Sequence, residues 1–330
     1  MIPRFLKNVP EHIIDNIQDV SLDVPSENCN QAINELLKKT VLLGGKRLRP
    51  LLTYLMSDLF SSPLPETNVC AASIEMVHAA SLSHDDVIDE ATVRRGAPAI
   101  NSVAGNKRAV LAGDYLLAGV IGNLTKLGNL ALVKEMSDVI ASLAEGEWIQ
   151  LDTSLNRNYS RELISLVAFH KTASVMSWCC VSSAITSEVA TDENRSELVD
   201  LSRKLGVHLG HAFQLWDDTL DFSESSQKDE NLDLDNDIVN AVVFEWLVTD
   251  EAVFDEYKKG AALNSLVSRL SQDKLDQSIA KVKVEASFHL NQCRDLLKAI
   301  LNLLPGDGGE LERKSIPIYD ILDYLEQRSH

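Results

Sequence analysis

The sequence predicts an all-α fold. Aromatic residues are only 5% of the 330 positions, and Gly and Pro number just 15 and 9. Leu, Ala, Val and Ile are plentiful, which suits long helices better than strands and turns. Apolar residues recur at helical spacing between short polar breaks, and nothing alternates in the manner of a strand.

In chain order, Ile33, Leu36, Leu37 and Val41 follow a helical period. The Gly-opened stretch Gly44-Gly45-Lys46-Arg47-Leu48-Arg49 reads as a loop leading into a helix at Pro50–Leu59, because Pro suits a first helical turn. Val110–Leu124 is the most apolar stretch. It is interrupted by Gly113, Asp114, Gly119 and Gly122 and reads as a core helix, too short for a bilayer span. Leu163, Ile164, Val167 and Ala168 repeat the helical period. Loops are expected at Ser61–Asn68, Thr153–Ser160, Thr191–Asn194, Ser223–Asn231 and Pro305–Gly309. No long linker divides the chain, so residues 1–330 are expected to form one all-helical domain.

The net charge of −18 argues against nucleic acid, whose phosphates need a basic surface. Small anions remain open as partners if a few Arg and Lys residues are gathered locally. The five cysteines have irregular spacing and no C-x-x-C pair. They read as free thiols in a reducing compartment. Residues 1–10 lack the apolar run of a secretory signal. A cytoplasmic protein without a transmembrane segment is the expectation.

Two acidic clusters share the form D-D-x-x-D: Asp85, Asp86, Asp89 and Asp217, Asp218, Asp221. On a helix, residues i and i+4 share a face, so Asp85 projects with Asp89 and Asp217 with Asp221. Asp86 and Asp218 lie about 100° round from their neighbours. A single such cluster would read as a solvated face or a cap. Two copies set in apolar helix do not, because ionised carboxylates there are costly unless paired or metal-bound. Hard divalent cations suit such donors, and Mg²⁺ typically combines one or two carboxylates with phosphate oxygens and water. A diphosphate held between the two helices would complete the coordination. Zinc fits less well, since no set of His and Cys has the spacing it needs. His208 and His211 read as helix-packing residues.

Cations gather near these clusters. Lys46, Arg47 and Arg49 precede the first, and Arg94-Arg95-Gly96 follows it by five residues. Arg forks onto phosphate oxygens and Lys offers a point charge. An ion pair of the arginines with Asp89 or Glu90 is the plainer alternative. Lys171, in an apolar stretch, wants an anionic partner and could equally be a structural ion-pair lysine.

The pattern resembles the trans-type polyprenyl diphosphate synthases from about Gln31 to Arg328. The motifs come in the family's order: GGKRLRP (44–50), HAASLSHDDVIDEATVRRG (78–96), GDYLLAG (113–119), EGEWIQL (145–151), HKTAS (170–174) and GHAFQLWDDTLDF (210–222). The resemblance implies an isoprenoid-synthase-like helical bundle around a deep central cavity, usually a homodimer. It implies that the six aspartates hold up to three Mg²⁺ ions bridging an allylic diphosphate. Arg94, Lys171, Thr172 and Gln214 would line that diphosphate, and Lys46, Arg49, His78 and Arg95 would bind isopentenyl diphosphate. The allylic diphosphate would ionise, the isopentenyl double bond would attack, and a proton would be lost to released pyrophosphate.

Beyond the second cluster, Lys228 and Asp233-Leu234 fit the family pattern. Ile238 stands where the family carries a diphosphate-binding lysine, which weakens that contact or shifts it to another cation. This departure leaves open a weakly catalytic subunit of a heteromeric synthase. A terpene cyclase is the third reading, and Lys46, Arg49 and Arg95 argue against it. Val77, Ala80 and Ser81, one and two turns before Asp85, are small. If they wall the cavity, elongation is unblocked and the product is C20 or longer.

Overall fold

The structure is a computed structural model that describes residues 7–22, 24, 31–45, 47–222 and 238–327. Long helices dominate: α1 (Glu11–Asp19), α2 (Gln31–Lys39), α3 (Leu48–Leu59), α4 (Leu64–Ile88), α5 (Ile100–Ala104), α6 (Asn106–Lys126), α7 (Leu130–Asn156), α8 (Arg161–Ala168), α9 (Ser174–Thr186) and α10 (Arg195–Leu220). After residue 237 come α11 (Ala241–Leu247), α12 (Glu251–Lys258), α13 (Leu263–Val267), α14 (Gln272–Leu303) and α15 (Gly308–Gln327). Among the described residues the only strands are β1 (Val93–Arg94) and β2 (Ala97–Pro98), a small antiparallel hairpin that pairs Arg94 with Ala97.

α9 is the hub. It is buried along nearly its whole length, and its Ser, Cys and Ala side chains let neighbours come close. α10 lies against α9 and α14, α3 lies against α9 and α4, and α4 runs along α6. The α9–α10 approach requires glycine. A Cβ on Gly206 would strike the Ser177 backbone, and one on Gly210 the Ala173 backbone. Trp178, only 2% exposed, fills the space beside α4 and donates its indole N–H to the Cys70 carbonyl at 3.3 Å. Burial of such a side chain is worth roughly 2–3 kcal/mol.

Cys70, Cys179, Cys180 and Cys293 are buried free thiols, as expected of core fillers. Burial pushes the Cys70 and Cys179 thiols up to about 12. Arg161–Thr186 (α8, the turn after it and α9) is long and apolar enough to cross a membrane, yet just over half of its most apolar window is buried inside the bundle.

Several boundaries differ from the sequence reading. α4 starts at Leu64, inside the loop expected over Ser61–Asn68, because Pro63 and Pro65 sit in positions that begin a helix. α7 runs on through Asn156 into the loop expected from Thr153, and ends where Arg157 turns left-handed at φ 50°. Gly308 and Gly309 open α15 instead of extending the preceding loop. The stretch Val110–Leu124 is helical, but Val110 and Leu111 are exposed, so only one face of α6 is core. The loop expected at Ser223–Asn231 lies outside the described residues.

Candidate active site

A cavity of about 560 Å³ opens at the centre of the bundle. Both acidic triplets reach it: Asp85 from α4 and Asp217 and Asp218 from α10 are on its walls. Asp89 and Asp221 sit at the C-terminal caps of the same two helices. Burial is the main cause that raises the Asp85 carboxyl to about 6, with Glu147 and Asp89 adding to the rise and Lys171 and Arg94 opposing it. Asp89 is raised in the same way, by burial and then by Glu147. Among the described residues, no three His, Cys, Asp or Glu side chains are close-set enough to hold an ion unaided. A hard cation held by the oxygen donors of the two walls would have to draw its remaining ligands from substrate and water.

The cationic side of the cavity is built by turns. Arg47, at φ 50°, caps the start of α3. Its guanidinium donates to Glu75 at 2.8 Å and to the Leu42 carbonyl at 3.1 Å. Arg49 lines the cavity, yet its Nε is buried with no hydrogen-bond partner among the described residues. Burial lowers its pKa, against the pull of Glu75. The hairpin turn Arg95-Gly96 has φ 52° and 74°, the left-handed pair that a two-residue connection needs. That turn sends Arg94 back onto Asp86, with Nε to Oδ1 at 2.5 Å, rather than onto Asp89 or Glu90. It lays Arg95 across Gly45, where a Cβ would come within 3.0 Å of the guanidinium, and beside the His78 ring at 3.5 Å. His78 is held neutral: burial and then the surrounding arginines, Arg49 first, lower its pKa well below 6.5.

Lys171 and Thr172 reach the cavity through a π-helical turn, Phe169–Ala173, inserted between α8 and α9. Such single wide turns often mark functional positions. His170 anchors it from the other side, its Nδ1 against Ser142 Oγ at 2.8 Å. Gly146 makes room, since a Cβ there would collide with His170 and Lys171. Lys171 donates to Glu147 at 2.5 Å and to Gln150 at 3.2 Å. Thr172 donates to Gln214 at 2.8 Å. Opposite the charged end, Leu82, Leu143, Leu163, Ile164 and Val167 give the cavity an apolar wall.

Of the residues singled out in the sequence, Arg49, His78, Asp85, Arg94, Lys171, Thr172, Gln214, Asp217 and Asp218 share this one cavity. Lys46 and Lys228 lie outside the described residues, as do Asp233 and Leu234. Ile238 is on the cavity wall beside Asn240. Of the three small residues before Asp85, only Ser81 lines the cavity. Val77 and Ala80 have no exposed surface and pack in the core. Glu75, Glu147, Gln150 and Asn240 belong to the site and carried no assignment from sequence. Glu147 and Gln150 stand in the EGEWIQL motif, so their presence was marked but not their partners.

His208 and His211 do pack between helices, but as a cluster with His289. The Nδ1 atoms of His208 and His289 are 2.8 Å apart, and the His211 and His289 rings stack at 5.0 Å. Burial lowers the pKa of all three, that of His289 to about 4.

The Polyprenyl synthetase family matches residues 30–274. Solanesyl-diphosphate synthase 1, mitochondrial, of Oryza sativa subsp. japonica is 32% identical over 86% of this chain and 69% of its own length. The crystal structure of a decaprenyl diphosphate synthase from Rhodobacter capsulatus superposes with a TM-score of 0.78 at 27% identity, covering 99% of both chains. A polyprenyl synthase from Caulobacter crescentus, crystallised with calcium and isoprenyl diphosphate, superposes at 0.74 over 99% of this chain and 98% of its own, at 24% identity. Five of the six motifs, all but 113–119, place residues in one cavity of an all-helical bundle, and the family match runs over most of the chain. This chain belongs to the polyprenyl synthetase family.

Proposed function

We propose that this chain is a prenyltransferase that condenses an allylic diphosphate with isopentenyl diphosphate, acting as one helical domain and making a trans-polyprenyl diphosphate of C20 or longer. The observation that carries the reading is the cavity itself. Asp85 of the first acidic triplet, Asp217 and Asp218 of the second, the cations Arg49, Arg94 and Lys171, and an apolar wall share one hollow. An acidic chain needs that arrangement to hold two diphosphates and a hydrocarbon tail together.

Asp85 and Asp89 with Asp217 and Asp221 are the candidate holders of divalent metal, assigned as Mg²⁺ in up to three ions. Bound there, Mg²⁺ would offset charge growing on the departing diphosphate. Arg94, Lys171, Thr172 and Gln214 are placed to orient the allylic diphosphate. Lys171 must leave Glu147 to do so. Arg49, His78 and Arg95, with Lys46, are assigned to isopentenyl diphosphate. The buried Arg49 Nε, with no hydrogen-bond partner among the described residues, is the strongest single argument for an anion on that side. The growing chain lies along Leu82, Leu143 and Ile164, which exclude water from the cation formed on ionisation. The proton leaves with released pyrophosphate.

Ile238 on the cavity wall favours one second reading, a weakly catalytic subunit of a heteromer. Exposed Val110 and Leu111 on α6 and Trp148 and Leu151 on α7 offer an apolar face for a second copy, and we assign a homodimer. Sedimentation of the purified chain tests that. Four buried free thiols suit a reducing compartment, and we place the chain in the cytoplasm. Cell fractionation distinguishes this from the organelle in its relative's name.

The deciding assay incubates purified protein with Mg²⁺, isopentenyl diphosphate and farnesyl diphosphate, and sizes the products by chromatography. Chelator-sensitive elongation is expected. No pyrophosphate release, restored by a second subunit, would replace the first reading with the heteromer. Cyclic hydrocarbon formed without isopentenyl diphosphate would replace both.

A further inference from the structure

Each acidic triplet is two-sided. The outer members, at i and i+4, share a helix face, while the middle member points about 100° away. The structure shows what it points at. Asp86 has no exposed surface. Its Oδ1 accepts from Arg94 Nε at 2.5 Å, and its Oδ2 accepts from the Ile100 amide at 3.3 Å. Ile100 is the first residue of α5, whose own N-cap, Ala99, has no side chain that can accept. The Asp86 carbonyl also accepts from Asn101 Nδ2 at 2.7 Å. The second triplet repeats the design. Asp218 is 6% exposed. Its Oδ1 accepts from Gln214 Nε2 and its Oδ2 from the Ala241 amide, both at 2.9 Å. Ala241 is the first residue of α11. Asn240 then caps α11 with its own side chain and donates to Asp221 at 3.2 Å.

We infer that Asp86 and Asp218 are positioning residues: each fastens the start of the following short helix to the helix that carries the metal-facing aspartates. A carboxylate that accepts a first-turn amide and a side-chain donor is fixed in orientation between them. The clamp also sets substrate groups. Asp86 holds Arg94 at the cavity edge, and Asp218 holds Gln214, which in turn accepts from Thr172. Losing one such bond to a charged acceptor frees the clamped amide by about tenfold to a hundredfold. What the clamp serves rests on the prenyltransferase reading; the clamp itself does not.

The test compares Asp86→Ala and Asp218→Ala, which remove the accepting oxygens, with Asp85→Ala and Asp217→Ala in the full chain. Without metal, hydrogen exchange at the Ile100 amide should rise in Asp86→Ala and at the Ala241 amide in Asp218→Ala, by about tenfold or more. It should stay put in the outer variants. Calorimetry of Mg²⁺-dependent binding of inorganic pyrophosphate should show a larger shift in Mg²⁺ requirement for the outer variants than for the middle ones. In turnover, Asp86→Ala should raise KM for the allylic diphosphate more than it lowers kcat, since it acts through Arg94. Failure of Asp86→Ala to fold where Asp85→Ala folds counts for the clamp, and Asp218→Ala then carries the remaining arms. Unchanged exchange at both amides, or a Mg²⁺ requirement shifted as far in the middle variants as in the outer ones, overturns the inference. Absence of any pyrophosphate binding by the unsubstituted chain would overturn the functional reading and leave the metal-free exchange to judge the clamp.

Discussion

Replacing Arg49 by Met should make the free protein more stable and the enzyme worse. Arg49 sits in the first turn of α3 with its Nε buried and without a hydrogen-bond partner among the described residues. A buried polar group in that state costs roughly 1–3 kcal/mol. Part of the side chain reaches the cavity, which cuts that penalty, so a gain of about 1 kcal/mol is expected. Met keeps the stem that packs against the core and removes the charge. Glu75 is not orphaned, because Arg47 still donates to it at 2.8 Å. Binding should move the other way. A charge-assisted contact to a diphosphate is worth about 1.5–3 kcal/mol, so KM for isopentenyl diphosphate should rise roughly ten- to a hundredfold. KM for the allylic substrate should change little. Urea denaturation and initial-rate kinetics in both substrates measure these terms. A variant that is less stable, with unchanged KM for isopentenyl diphosphate, would show that Arg49 is a structural cation and refute the assignment.

Three further outcomes follow from the same geometry. Asp85→Asn or Asp217→Asn should lower kcat by orders of magnitude with Mg²⁺ saturating, because each removes a donor aimed at developing charge; near-normal turnover in both would mean the site is misassigned. Ser81→Phe should shorten the product, since Ser81 is the small residue before Asp85 that lines the cavity, whereas Ala80→Phe should mainly destabilise by overpacking; chromatography and thermal melting separate the two. The His208–His211–His289 cluster should weaken the fold in acid. Folded-state pKa values lie below the unfolded value of about 6.5, so the unfolded chain binds more protons in between, and stability is fully present above that pH and lost as pH falls toward 4. At these half-buried rings the loss should be on the order of 1 kcal/mol. His289→Gln should flatten the fall, and an unflattened urea midpoint between pH 7 and 4.5 would exclude the cluster as its source.

Fold class was legible because long helices declare themselves by period and by the scarcity of glycine and proline. Helix ends were not. Pro63 and Pro65 look like breakers in sequence, yet both sit where a helix begins. The acidic triplets were legible as a spacing, and the spacing already separated outer from middle members. It could not say what the middle ones meet, because Ile100 and Ala241 lie 14 and 23 residues further on. The π turn was invisible: one extra residue per turn leaves no mark on composition, but it decides that Lys171 and Thr172 face the cavity. Val77 and Ala80 were judged from helix register alone. Register fixes a direction, and only packing shows whether that direction holds a cavity or a neighbour.

The remaining question is how a chain of net charge −18 offers anions a welcome. Apart from Arg49, the cations that line the cavity are held: Arg94 is tied to Asp86 and Lys171 to Glu147, and Arg47, at the start of α3, is tied to Glu75, each at 2.8 Å or less. All three acids are largely buried. An ion pair of this kind is weak evidence for stability, since burial costs about as much as attraction returns. It does fix where each cation stands before substrate arrives, and a preset charge spends less on reorganisation than a mobile one. Arg94 holds the pair through Nε and can fork toward a diphosphate with its terminal nitrogens, whereas Arg47 spends its own on Glu75 and the Leu42 carbonyl. Lys171 has a single ammonium, so it must loosen its hold on Glu147 to reach an anion. Glu147→Gln should therefore tighten substrate-free binding of pyrophosphate and leave Lys171 mobile. A variant that binds pyrophosphate no better than the parent at equal Mg²⁺ would mean that Glu147 positions Lys171 without restraining it.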